Sequence, residues 1–145
     1  MTGIKVLLVD DEREFTGTLS KVLGRRGFVV DMAVDAASTL AALSRQEFDV
    51  VLLDIKMPGQ DGIHVLTEIK SRTPSPEVIL LTGHVSPTEE SDYLRMGAFA
   101  YLLKPHPIDD IIVCLEAAAA RSRDTREEGG ESRRPQTAPL PDPRP

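Results

Sequence analysis

Asp10-Asp11 and Asp54 each directly follow an apolar run, Thr82 closes another, and Lys104 follows a further one. If those runs are strands of one sheet, the five side chains meet at a single edge. Three carboxylates so placed repel one another, at about 4 Å by ~1 kcal/mol per pair in water and ~4 kcal/mol at an effective dielectric of 20. A cation must offset this. Hard oxygen donors with no His or Cys among them select Mg²⁺ or a similar ion, which keeps several waters and accepts a phosphate oxygen as a further ligand. The remaining parts suit phosphoryl transfer, whose catalysis is almost wholly positioning and charge stabilisation. Asp54 is the candidate nucleophile, Lys104 a point charge for phosphoryl oxygens and the Thr82 hydroxyl a donor to another of them.

Such convergence requires particular elements. Ile4 to Val9, Phe28 to Ala33, Val50 to Asp54, Val78 to Leu81 and Ala100 to Leu103 read as strands. The third is apolar on both faces, as in a central strand covered on both sides. Between them lie helical spacings: Phe15, Leu19, Val22 and Leu23 before a stop at Gly27; Ala36 to Ser44; Ile63, Leu66 and Ile69; a capping sequence at Ser86-Pro87-Thr88-Glu89; and Ile108, Ile111, Ile112, Leu115 and Ala119. Met57-Pro58-Gly59 breaks the chain, and Pro74 and Pro76 bar continuation of the third helix. Alternating strands and helices with right-handed crossovers predict an α/β, doubly wound, five-stranded parallel sheet, with ligand chemistry at the carboxyl ends of its strands.

Composition narrows the function. The chain has 145 residues, 41% of them hydrophobic, a one-domain length with enough apolar material for a core. Met1 to Ala120 carries 11 basic and 18 acidic residues, a formal −7, which leaves +1 for the remainder. So acidic a domain repels phosphate backbones, and direct nucleic-acid contact is not expected. Cys114 is the single cysteine, so no internal disulfide can form. The apolar run at the start is too short for a signal peptide or a membrane span, and a cytoplasmic location fits best. Past Arg121 the apolar periodicity stops, and five prolines fall between Pro135 and Pro145. The expected organisation is a domain over residues 1–120 and a disordered Arg/Glu/Pro-rich tail or linker over 121–145.

Four segments carry a family likeness: Val9-Asp10-Asp11-Glu12; Leu53-Asp54-Ile55-Lys56-Met57-Pro58-Gly59-Gln60-Asp61-Gly62; Leu81-Thr82-Gly83-His84; and Gly97-Ala98 through Tyr101-Leu102-Leu103-Lys104-Pro105. Together, over roughly Lys5 to Ala120, they resemble the bacterial response-regulator receiver family. The resemblance implies a flavodoxin-like fold of strand order 2-1-3-4-5. It implies that Asp54 accepts a phosphoryl group from a phosphohistidine on a sensor histidine kinase or phosphotransfer protein. Mg²⁺ would be bound directly by Asp11 and Asp54, by the main-chain carbonyl of Lys56 and, through water, by Asp10. Lys104 and Thr82 would contact the phosphoryl group, and Tyr101 would be the switch aromatic that turns inward when Thr82 moves. The fourth helix, fifth strand and fifth helix, Pro87 to Ala120, would be the partner surface, including for a receiver homodimer. Such a domain is not a conventional enzyme, although it promotes its own phosphorylation and dephosphorylation. His106 stands where the family usually has Phe, and Lys56 and His84 occupy positions that vary within it.

Plainer readings compete. An acid pair at a helix start is favoured by the helix dipole alone. Tyr101 reads equally as a half-buried edge aromatic, and His64 as part of a solvated helix face. No transition-metal spacing links the histidines to Cys114, which reads as a small core residue. Two rival functions are a small-molecule phosphatase, which would want an Asp-x-Asp pattern and a substrate cap, and a scaffold that binds partners unphosphorylated. Against the first, the acids Asp10 and Asp11 are adjacent and no insertion is long enough for a cap; against the second stands the full set of Asp54, Thr82 and Lys104.

Overall fold

The structure, a computed structural model, describes residues 3–54, 62–72, 74–83, 87–104 and 107–131. Lys56, the Met57-Pro58-Gly59 break, His84, Ser86 and His106 lie outside the described residues. The element order is β1 (Lys5–Val9), α1 (Arg13–Arg25), β2 (Val29–Ala33), α2 (Ala36–Arg45), β3 (Val50–Leu53), α3 (Gly62–Lys70), β4 (Glu77–Thr82), α4 (Pro87–Arg95), β5 (Ala100–Leu103) and α5 (Ile108–Glu131). The strands form one parallel sheet in the order β2-β1-β3-β4-β5. This is the doubly wound sheet expected from the alternation of runs, in the flavodoxin-like strand order that the resemblance implies.

Alternate residues of each strand feed two apolar layers. Leu7, Val9, Val51, Leu53, Val78 and Leu80 face Ala42, Val65, Leu66, Ile69 and Tyr93 of α2, α3 and α4. Val6, Leu8, Val50, Leu52, Ile79 and Leu81 face Leu19, Leu23, Ile111, Ile112, Leu115 and Ala119 of α1 and α5. All four residues of β3 are buried, as a strand with helices on both faces requires. Each such side chain removed from water contributes roughly 1.5–3 kcal/mol before entropy is subtracted. Gly27 follows α1 at φ 94°, a conformation open to glycine without strain. Among the described residues, no helix is long and apolar enough to cross a membrane.

The last helix departs from the sequence expectation. α5 continues through residue 121 to Glu131, although its apolar stripe ends near Ala119. Polar contacts hold its first residues past Ala120. Arg121 lies over the Phe99 ring at 5.8 Å and faces Glu77 at 3.6 Å, while Ser122 is buried. Arg123 donates to both carboxylate oxygens of Asp49, at 3.3 and 3.1 Å, and to the Gly3 carbonyl at 3.2 Å. The folded body therefore reaches past Ala120, because long-range charge pairing takes over where the hydrophobic pattern stops.

Candidate functional site

Hydrogen bonds that carry the sheet ladder one step beyond its strands assemble the site. The Asp10 N–H donates to the Ala33 carbonyl at 3.1 Å, and the Asp54 N–H to the Val9 carbonyl at 2.9 Å, so the two acids follow neighbouring strand ends. On the other side, Lys104 N–H donates to the Thr82 carbonyl at 2.7 Å, continuing a register in which Thr82 pairs with Leu103. Asp10, Asp54 and Thr82 are buried, whereas Asp11 is exposed.

Asp10, Asp11 and Asp54 each offer a carboxylate oxygen, and these oxygens lie within 4.8 Å of one another. The cluster can hold a metal ion, and its all-oxygen donor set fits a hard divalent cation better than zinc or copper. Lys104 reaches into the same space. Its Nζ donates to Asp10 Oδ2 at 2.7 Å, to Glu12 Oε1 at 2.9 Å and to Asp54 Oδ2 at 3.3 Å, and lies 5.0 Å from the centre of the Phe15 ring. Burial works against its charged form, but the hydrogen bonds it donates to Asp10 and Glu12 and the charges of Asp10 and Asp54 outweigh it, holding the Lys104 pKa well above the ordinary lysine value.

Tyr101 is half-buried on β5, level with Leu80 of β4. Its hydroxyl is bonded to Glu90 of α4, and that carboxylate, with some desolvation, pushes the phenol pKa up. The side chain therefore reaches α4. Cys114 is half-buried rather than fully enclosed, and His64 is exposed on α3.

The structure thus brings together Asp10, Asp11, Asp54 and Lys104, with Thr82 adjacent, as their positions after the strands predict. It adds two residues that the sequence did not place at the site, Glu12 and Phe15, both in contact with Lys104. The signal for Glu12 is visible in hindsight as a third acid after Asp10-Asp11 at a helix start.

Residues 6–116 match the family model described as the response regulator receiver domain. The transcriptional regulatory protein TcrA of Mycobacterium tuberculosis is 31% identical over 121 residues, which are 83% of this chain and 48% of TcrA. The chain thus spans about half the length of that relative. Among solved structures, a CheY-like response regulator receiver domain protein from Methanospirillum hungatei superposes with a TM-score of 0.77 at 27% identity, covering 84% of this chain and 98% of that one. A response regulator protein from Burkholderia pseudomallei, solved with a phosphorylated aspartic acid, calcium ion and citrate, gives 0.74 at 26% identity, covering 90% and 75%. By sequence match, strand order and the acids gathered at the sheet edge, the chain belongs to the response regulator receiver domain family of two-component signalling.

Proposed function

We propose that Asp54 is the phosphoacceptor of this receiver and that its modification changes the surface formed by α4, β5 and α5. Receiver domains are signalling domains, and the family implies a histidine kinase or phosphotransfer protein as donor. The observation that carries the reading is the Lys104 ammonium 3.3 Å from Asp54 Oδ2 within a three-acid cluster. It is supported by the phosphorylated aspartic acid and calcium ion of the Burkholderia relative.

In the transfer, an Asp54 carboxylate oxygen forms the new O–P bond as the P–N bond to the donor imidazole breaks, and that imidazole leaves with a proton. Asp11 and Asp54 would hold Mg²⁺, with Asp10 acting through water and the Lys56 carbonyl as a further ligand; the ion supplies charge neutralisation for the phosphoryl oxygens. Lys104 neutralises another of those oxygens, and the Thr82 hydroxyl donates to a third. The product places about −1.5 to −2 charge beside Thr82. Drawing Thr82 toward that charge opens the space into which Tyr101 turns, releasing Glu90 and α4. The Pro87 to Ala120 surface is then the place for a partner or a second receiver. The chain also promotes loss of its own phosphoryl group, acts in the cytoplasm and makes no direct nucleic-acid contact.

Incubation with acetyl phosphate and Mg²⁺, followed by intact-mass measurement, tests the core of the proposal. A gain of one phosphoryl group that disappears in Asp54→Asn supports it. An unmodified chain, or a gain that persists in Asp54→Asn, refutes it.

A further inference from the structure

Lys104 has no donor to spare. An ammonium carries three N–H groups, and its acceptors are Asp10 at 2.7 Å, Glu12 at 2.9 Å and Asp54 at 3.3 Å. A phosphoryl oxygen arriving on Asp54 therefore competes for a cation whose bonds are already committed, and one acceptor must let go. The three differ. The Asp10 side chain is 4% exposed, and its other oxygen accepts the Glu12 N–H at 2.9 Å. Losing Lys104 would leave that carboxylate dry and short of a partner, a costly state. Asp54 is the reacting group. The Glu12 side chain is 64% exposed, so water replaces the ammonium with little loss.

A second observation concerns the direction of that side chain. Glu12 is the residue that caps the start of α1, with extended backbone, yet it makes no side-chain capping hydrogen bond. A capping side chain ordinarily accepts from the first-turn amides. Glu12 instead reaches Lys104, 92 residues away in sequence.

Building on the phosphoacceptor reading of Asp54, we propose that Glu12 is a positioning residue: its carboxylate holds the Lys104 ammonium in the unmodified protein and yields it to the incoming phosphoryl oxygen. Glu12 thereby sets part of the resistance to phosphorylation and carries the event at Asp54 to the first turn of α1.

The test compares the full chain with Glu12→Gln and Glu14→Gln. Glu14 lies exposed on the same turn, and its replacement removes the same charge from outside the three acceptors of Lys104. At saturating Mg²⁺, acetyl phosphate modifies Asp54 as its P–O bond to acetate breaks and acetate leaves; beryllofluoride binds the same carboxylate without transfer. Glu12→Gln should bind beryllofluoride more tightly and react faster by roughly two- to fivefold, the range of a partly exposed ion pair, with Glu14→Gln close to the unaltered chain. By NMR, the Lys104 side-chain nitrogen should shift in metal-free Glu12→Gln and coincide with that of the unaltered chain once beryllofluoride is bound. Equal acceleration in both variants, an unmoved resonance in the metal-free state, or a difference that persists with beryllofluoride would overturn the proposal. If the unaltered chain takes up neither probe while the metal-free resonance still responds to Glu12→Gln, the phosphoacceptor reading fails, and the yielding step fails with it.

Discussion

The Lys104 ammonium stands 3.3 Å from the Asp54 carboxylate, although 50 residues separate them in the chain. The same ammonium bonds Asp10, so one cation offsets the repulsion of two buried acids. Its pKa is raised in the folded state. Its stabilisation is therefore fully present below the ordinary lysine value of 10.5 and is lost only as pH rises through the higher folded value. Lys104 accordingly adds no pH dependence to stability near neutrality.

Replacing Lys104 with Met should lower metal-free stability by ~1.5–3 kcal/mol, the range for hydrogen bonds to charged groups. Mg²⁺ should restore part of the loss, since it neutralises the same carboxylates. Urea denaturation with and without Mg²⁺ measures both; equal losses in the two buffers would contradict the pairing.

Thr82→Ala should leave Asp54 able to take up a phosphoryl group while uncoupling Tyr101 from it. Tyr101 ring resonances that move on beryllofluoride addition in the unaltered chain should stay in place in the variant. If they move equally in both, Thr82 is not the link.

Leu115 is fully buried on α5, whereas Val113 two positions earlier is 63% exposed. Leu115→Ala should destabilise by about 2–5 kcal/mol and Val113→Ala by no more than about 0.5 kcal/mol. Thermal or urea unfolding of the two variants checks the contrast.

Burial pushes the Cys114 thiol above its ordinary value of 9.0. Near neutral pH it should react with iodoacetamide more slowly than free cysteine, with the rate rising as pH passes above that value. Alkylation at the rate of free cysteine would contradict the burial of its sulfur.

Asp49 is buried at the foot of β3 and accepts from the Lys5 N–H at 3.0 Å and from Arg123 at 3.1 Å. Asp49→Ala should cost about 1–3 kcal/mol by leaving that amide unpaired. Arg123→Ala should cost under about 1 kcal/mol, as expected for a half-exposed partner. A larger loss for Arg123→Ala would reverse the assignment of roles.

Much of this was legible in the sequence because the signals are local. Val50 to Leu53 is apolar without alternation, which marks a central strand, and Asp54 follows it at once. Asp10-Asp11 and Lys104 sit in the same relation to their own runs. Two features were not legible because they depend on partners far away in the chain. The start of the α5 extension past Arg121 has no apolar stripe, and Arg123 there bonds Asp49, 74 residues earlier. Glu12 is a poor helix-cap residue by type, and only the arrival of Lys104 explains its direction. The capping box of α2, in which Asp35 and Ser38 bond reciprocally, also escaped notice, because Ser replaces the usual Glu or Gln at the third position.

The two-sided burial of β3 has a consequence for aim. Sliding the strand by one position would swap Val51 and Leu53 with Val50 and Leu52 between two equally dry layers, an exchange that hydrophobicity resists only weakly. It would also carry the Asp54 carboxylate ~3.3 Å along the strand, out of reach of Lys104. Asp49, bonded through its amide and its side chain to Lys5, forbids the slide. β3 is thus a short ruler, pinned at its foot by one aspartate so that another at its tip stays on target.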